Sequence, residues 1–199
     1  MDSKDIFHHL TSSTPMPLTE LPNSFGIYAL WDHEHQIRYI GCTPKATEGF
    51  KIRVGSKHVT GSEGRSHKFS QAYCTGRMWR YCHKLDPEAA AHEQNPNNAK
   101  LAKKLRTLFI RKYCAITFIE IPKINSDMDY FKYLIALESQ VQEMAPKCMR
   151  AWEGVKFKPN NEPSELVDAL ILENPDLRKA AERQLAIYKK YVKEYQEAF

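Results

Sequence analysis

The chain lacks the marks of a secreted or membrane-bound protein. Its first residues, Met1-Asp2-Ser3-Lys4-Asp5, have neither the basic start nor the apolar run of a signal peptide, and no apolar stretch is long enough to span a bilayer. It also lacks any Cys-x-x-Cys pair. The five cysteines, Cys42, Cys74, Cys82, Cys114 and Cys148, are an odd number, which argues against a disulfide framework and a structural zinc site. A soluble, cytoplasmic protein with reduced thiols and no membrane partner is the expectation. A strong charge excess is missing too: 29 Lys and Arg face 24 Asp and Glu, a formal +5. That balance fits a polyanionic partner but is ordinary for soluble proteins. There is no internal repeat or low-complexity tract.

What is present suffices for one core. With 199 residues, 42% of them hydrophobic, one domain with an appendage is expected. Residues 1–20 read as a lead-in, because 12–24 are rich in Ser, Thr and Pro. Residues 26–31 (GIYALW) and 37–42 (IRYIGC) are β-favouring runs around the polar segment 32–36, which reads as an antiparallel hairpin. Residues 114–121 (CAITFIEI), closed by Pro122, read as a third strand, and 129–145 carry helical periodicity. The fold class expected is α/β: a small three-stranded antiparallel sheet flanked by helices, spanning 21–161, with a helical extension over 162–199. In that extension Asn174 suits a helix cap and Pro175 its first turn. Its mixed Glu and Lys suit packing or homo-oligomer contacts.

Three features point towards chemistry. A hairpin loop of two or four residues would place Tyr28 opposite Tyr39 on one sheet face, whereas an odd loop would separate them. Glu138, at 100° per residue, falls inside the helical stripe of Phe131, Leu134, Val141 and Ala145. A carboxylate there calls for a basic partner, a raised pKa or a cation. Residues 86–113 read as an insertion, with Leu101, Leu105, Leu108 and Phe109 facing a core. From Asn98 onwards its other faces carry Lys100, Lys103, Lys104, Arg106, Arg111 and Lys112 with no acid among them, which suits phosphate contacts as well as a solvated helix face.

Gly26-Ile27-Tyr28, ten intervening residues and then Tyr39-Ile40-Gly41 resemble the paired motif of the GIY-YIG nuclease family. The likeness runs from about Leu21 to Ala145, through Arg53 with Lys57 and His58, His67, the strand ending at Pro122 and the helix bearing Glu138. It implies an endonuclease that hydrolyses phosphodiester bonds in DNA, RNA staying open, and leaves 5′-phosphate and 3′-hydroxyl ends. On the same resemblance Glu138 holds one divalent cation, Mg²⁺ or Mn²⁺. Such an ion can be held by a single carboxylate when water and phosphate oxygens complete its shell. Tyr28 acts as general base, Tyr39 bonds the water or the phosphate, and Arg53 contacts a phosphoryl oxygen with two donors.

The pattern departs from the family in two places. The family His commonly follows the Arg by four residues, a step that Lys57 fills, while His58 lies five away; either a local irregularity at Gly55 brings His58 round or Lys57 replaces it. Arg65, near His67, rivals Arg53. Where a family Asn is expected after the Glu stand Arg150, Ala151, Trp152 and Glu153, with Asn160 and Asn161 further on. These departures keep two other readings open: a nucleic-acid-binding module without catalysis, and a structural α/β protein with chance tripeptides.

Overall fold

The computed structural model describes residues 2–60, 68–73, 96–123, 126–153, 164–179 and 181–182. Its elements in chain order are α1 (Ser3–Ser12), β1 (Met16–Pro17), β2 (Gly26–Trp31), β3 (Ile37–Cys42), a π-helical segment Lys51–His58, α2 (Lys68–Ala72), α3 (Pro96–Tyr113), β4 (Ala115–Glu120), α4 (Asp127–Met144), a 3₁₀ turn Lys147–Arg150, α5 (Ser164–Glu173) and a 3₁₀ turn Pro175–Leu177. The chain divides into two compact units, residues 1–57 with 111–154 and residues 58–110 with 155–199.

The first unit is built on an antiparallel sheet in the order β1-β4-β2-β3. The α/β class expected from sequence holds, but the sheet has four strands, not three. The added strand is two residues long and pairs Met16 with Ile116 and Pro17 with Ala115. So short an edge strand shows no alternation, and its proline is tolerated because an edge need not donate to a further neighbour. The lead-in also contains a helix. Asp2 caps α1 by accepting from the amides of Lys4 and Asp5, while the Asp5 carboxylate accepts from the Asp2 amide, a reciprocal box that satisfies otherwise orphaned donors. Ile6 and Leu10 of α1 are fully buried and join Ile27, Ala29, Ile40 and Ile119 of the sheet with Leu134, Leu137 and Val141 of α4 in one core. The helical stripe expected around Glu138 is therefore formed.

Between β2 and β3 the register shifts. Tyr28 pairs with Gly41, Ala29 with Ile40 and Leu30 with Tyr39, but Trp31 pairs with Ile37, so Arg38 is an extra, bulged residue. The loop 32–36 is odd in length, and without the bulge Tyr28 and Tyr39 would face opposite sides of the sheet. One inserted residue reverses that parity. Tyr28 and Tyr39 are not directly opposite but diagonal neighbours on one face, with ring centroids 6.3 Å apart. The bulge is held by the buried Asp32. One of its oxygens accepts from the amides of Glu34 and Gln36, both at 2.9 Å, and the other accepts from Arg38 Nε at 2.5 Å. His35 takes the positive φ, 56°, that lets the loop close.

The second unit has its own packing. Phe69, Tyr73, Leu105 and Phe109 are buried, and the Tyr73 and Phe109 rings lie 5.2 Å apart. Leu170, Ile171 and Leu177 are buried in its C-terminal part. Asn174 stands at the expected cap position before Pro175, yet its side chain donates back to the Leu170 carbonyl and makes no cap bond. The helix expected after it lies almost wholly outside the described residues, and with it the surface suggested for self-association. No helix among the described residues is long and apolar enough to cross a membrane.

Removing the Asp32 carboxylate strands two amides and leaves Arg38 with Glu34 as its remaining carboxylate partner. Asp32→Ala should lower stability by about 3 kcal/mol in urea unfolding, the usual cost of breaking a buried charged network from one side. A loss below about 1 kcal/mol would mean that the bulge holds itself.

Candidate active site

The glycines of the two tripeptides have separate physical reasons. Gly26 has φ 158°, and a Cβ there would stand 2.0 Å from the carbonyl oxygen of Ile119, so the close approach of β2 to β4 admits only glycine. At Gly41 the obstacle is the tyrosines themselves. A Cβ would lie 2.6 Å from Tyr39 Cε1, 2.7 Å from the Tyr28 hydroxyl and 2.8 Å from Tyr28 Cζ. Gly41 is the floor on which both phenols lie. Phe50 packs edge-on against Tyr28, 6.2 Å between centroids, and closes one side.

The π-helical segment brings in the cations. The Gly49 carbonyl accepts from the Ile52 and Arg53 amides, and the segment then runs through Arg53 to His58. The Arg53 guanidinium is half-buried and lies close enough to Tyr28 and Tyr39 for each to raise its pKa. Its Nη1 also reaches Glu48 Oε2 at 3.4 Å. Lys57 and His58 stand in different surroundings. His58 is fully buried and its Nδ1 accepts from the Lys68 amide at 2.8 Å, whereas Lys57 Nζ lies 2.5 Å from Glu48 Oε1, on the carboxylate that Arg53 shares. His58 thus receives the first amide of α2, and Lys57 keeps company with Arg53. His67 and the rival Arg65 lie outside the described residues.

Glu138 approaches from the other face of the sheet. It is half-buried on α4; its Oε2 accepts from the Cys42 thiol at 2.9 Å and its Oε1 from Gln142 Nε2 at 3.2 Å. Gln142 also donates to the Ile40 carbonyl on the outer edge of β3. Glu138 and the tyrosines lie on opposite faces, near enough for the Glu138 charge to raise the pKa of both phenols. Glu153 joins them: the Trp152 amide donates to the Arg38 carbonyl, and the next residue's carboxylate raises the pKa of both Tyr39 and Glu138. Cys42, Glu48, Gln142 and Glu153 were not read from sequence as site residues. Only Glu48 carried a signal, an acid five residues before Arg53 and nine before Lys57. Asn160 and Asn161 lie outside the described residues.

The electrostatics oppose easy proton loss. Burial, then the neighbouring Tyr39 phenol, push Tyr28 well above the usual tyrosine range, although Arg53 pulls the other way. Tyr39 and Cys42 are raised by burial and by the Glu138 charge. Burial also raises Glu138 itself, against the opposing pull of Cys42 and Arg53. For Arg53, burial disfavours the charge, but Tyr28, Tyr39 and Glu48 outweigh it and raise its pKa.

No family model, curated protein or solved structure matches the chain.

The donor set fits a hard cation held by one carboxylate. The Glu138 oxygens are met by a neutral thiol and a neutral amide, and no basic side chain forms an ion pair with Glu138 among the described residues. No group of three or more His, Cys, Asp or Glu gathers among the described residues, so water and phosphate oxygens would have to complete the shell.

The basic helix α3 is less uniform than its sequence suggests. Lys103 and Arg111 are exposed, and Lys104 is exposed but paired with Asp176 at 3.0 Å. Arg106 faces inward: it is 1% exposed and its Nη2 donates to the Thr60 carbonyl. That burial removes it from the exposed strip expected for phosphate contacts. The side chain of Lys100 lies outside the described residues.

A methyl group on the floor under two rings must displace them. Gly41→Ala should cost about 1–3 kcal/mol in urea unfolding, as for other overpacked cores, and should alter the near-ultraviolet circular dichroism of the tyrosines. Wild-type values on both measurements would show that the rings slide aside freely.

Proposed function

We propose that the chain is a metal-dependent endonuclease of GIY-YIG type, acting on DNA. The observation that carries this reading is the convergence of four groups near the β3 edge: two phenols on one face, a guanidinium whose charge acts on both, and the Glu138 carboxylate close enough to shift both phenols. In-line hydrolysis of a phosphodiester needs groups that orient the water, accept its proton and offset charge on the phosphoryl oxygens. Tyr39 orients the water or the phosphate. Arg53 presents its planar donors to a non-bridging oxygen, and Lys57 adds a second positive charge alongside. Tyr28 accepts the proton, with Arg53 favouring its ionised form. A divalent cation on Glu138 would supply Lewis acidity towards the phosphoryl oxygens and positive charge that counters the cost of ionising a buried phenol.

One observation favours the second reading, a nucleic-acid-binding module without catalysis: burial keeps the protons on Tyr28 and Tyr39. Cleavage of DNA and RNA panels with and without Mg²⁺ or Mn²⁺ separates the two. Metal-dependent cuts with 5′-phosphate ends support the nuclease, and binding without cleavage in either metal would displace it.

Glu138 couples activity to stability with opposite signs. Its folded pKa lies above its unfolded value, so the stability contributed by the neutral acid is full below the unfolded pKa and lost as pH rises through the folded one. Glu138→Gln mimics the neutral form. Its melting temperature should exceed that of the wild type at neutral pH, and the two should converge in acid. Cleavage should fall by about 10²–10³-fold with DNA binding kept. Full cleavage would remove the ligand role.

Tyr28→Phe keeps the ring over Gly41 and removes only the hydroxyl. Single-turnover cleavage should fall by about 10²–10⁴-fold, the usual worth of positioned proton transfer, with the fold kept and DNA affinity scarcely changed. Tyr39→Phe should lose less. Near-normal rates for Tyr28→Phe would reassign the base.

A further inference from the structure

Glu48 belongs to neither tripeptide, yet it is 5% exposed and carries three cations. Its two oxygens divide them: Oε2 faces Arg53 Nη1 at 3.4 Å, and Oε1 faces Lys57 Nζ at 2.5 Å with Lys45 Nζ at 3.9 Å. Burial alone would raise its pKa, but Lys57, Arg53 and Lys45 together leave it below the ordinary glutamate range.

The backbone around Glu48 is pinned. Its amide donates to the Lys45 carbonyl, and the Phe50 amide donates to the Ser24 carbonyl at 2.9 Å. At Gly49 a Cβ would meet Asn23 Oδ1 and the Ser24 carbonyl oxygen, each at 2.9 Å, so this stretch lies directly against residues 23–24. A carboxylate on such a stretch has little freedom to follow its partners. It sets their positions. Arg53, held by Glu48 at Nη1, keeps a buried Nε with no hydrogen-bond partner among the described residues. A buried guanidinium donor left over in this way costs free energy until an acceptor arrives, and a phosphoryl oxygen is such an acceptor.

We propose that Glu48 is a positioning residue that holds Arg53 and Lys57 side by side, one on each carboxylate oxygen, so that both address the same phosphate. This rests on the nuclease reading. A merely structural ion pair and a positioning clamp differ in what they predict. Deleting a negative charge beside two cations leaves DNA affinity unchanged or tighter, since the local potential becomes more positive. A positioning role requires the chemical step to suffer all the same, because misplacement by about 1 Å costs on the order of 10²-fold in rate.

The experiment measures DNA affinity and single-turnover cleavage in Mg²⁺ for wild type, Glu48→Gln, Glu48→Asp, Arg53→Ala and the double variant Glu48→Gln/Arg53→Ala, with melting temperatures to confirm folding. Glu48→Gln should cleave about 10²-fold more slowly with affinity kept, and should lose less once Arg53 is gone, since only the part exerted through Lys57 then remains. Glu48→Asp keeps the charge and loses the reach, so it should also be slow, and it replaces Glu48→Gln if that variant does not fold. Wild-type rates in a folded Glu48→Gln or Glu48→Asp, or losses that multiply in the double variant, would overturn the proposal. If the wild type cleaves nothing, the nuclease reading fails by itself. Glu48 is then judged by NMR of the Arg53 guanidinium, whose protons should be resolved in the wild type and averaged in Glu48→Gln. Identical spectra would overturn the clamp.

Discussion

Asp32 ties the Glu34 and Gln36 amides and the Arg38 side chain into one buried knot, and the extra residue in β3 sits inside it. Side chains alternate strictly along a strand, so a single inserted residue decides which half of β3 faces which layer. Upstream of the bulge the hairpin follows an odd loop, and downstream of it Tyr39 shares a face with Tyr28. Without the bulge Tyr39 would turn towards the layer of α1 and α4, Gly41 would no longer lie beneath two rings, and Arg53 would meet one phenol instead of two. Local hydrogen bonding at a turn thus governs geometry several residues away.

The site's electrostatics follow from where the sheet stops. β3 is an outer strand, and charges on its two faces act on one another past its rim. Tyr28 and Tyr39 lie on one face, against the aromatic layer of Phe50 and Phe118. Cys42 and Glu138 lie on the other, against the aliphatic core. Each group is desolvated enough to resist ionisation, yet acids and bases stand close enough to feel one another. Such tension between burial and neighbouring charge is common where groups must change protonation state during a reaction.

Much of this architecture was legible in the sequence, for identifiable reasons. The long strands and α4 show through because their alternation and helical periodicity are strong, and the same periodicity placed Glu138 among apolar residues. The bulge was not legible, since it rests on side-chain hydrogen bonds of Asp32 that no periodicity signals, and so the tyrosines share a face as diagonal neighbours where the odd loop alone would have separated them. β1 is too short to show a pattern. The cap of α1 was visible as Asp2-x-x-Asp5 but needed to be read as a helix start. Arg106 belongs to a basic run by composition, and only the winding of α3 tells that it turns inward. Cys42, Gln142 and Glu153 join the site through folding alone, from positions with no motif.

The contacts on the outer rim of β3 have a further consequence. An edge strand with free carbonyls is a template on which another chain can add, and proteins usually protect such edges with charge, proline or a covering segment. Here the Ile40 carbonyl is taken by Gln142 and the Arg38 carbonyl by the Trp152 amide. At the opposite edge β1 offers only two residues, one of them proline. The groups that assemble around Glu138 therefore also guard the sheet against intermolecular strand addition, and damage to that corner would expose the protein to self-aggregation as well as to loss of its site.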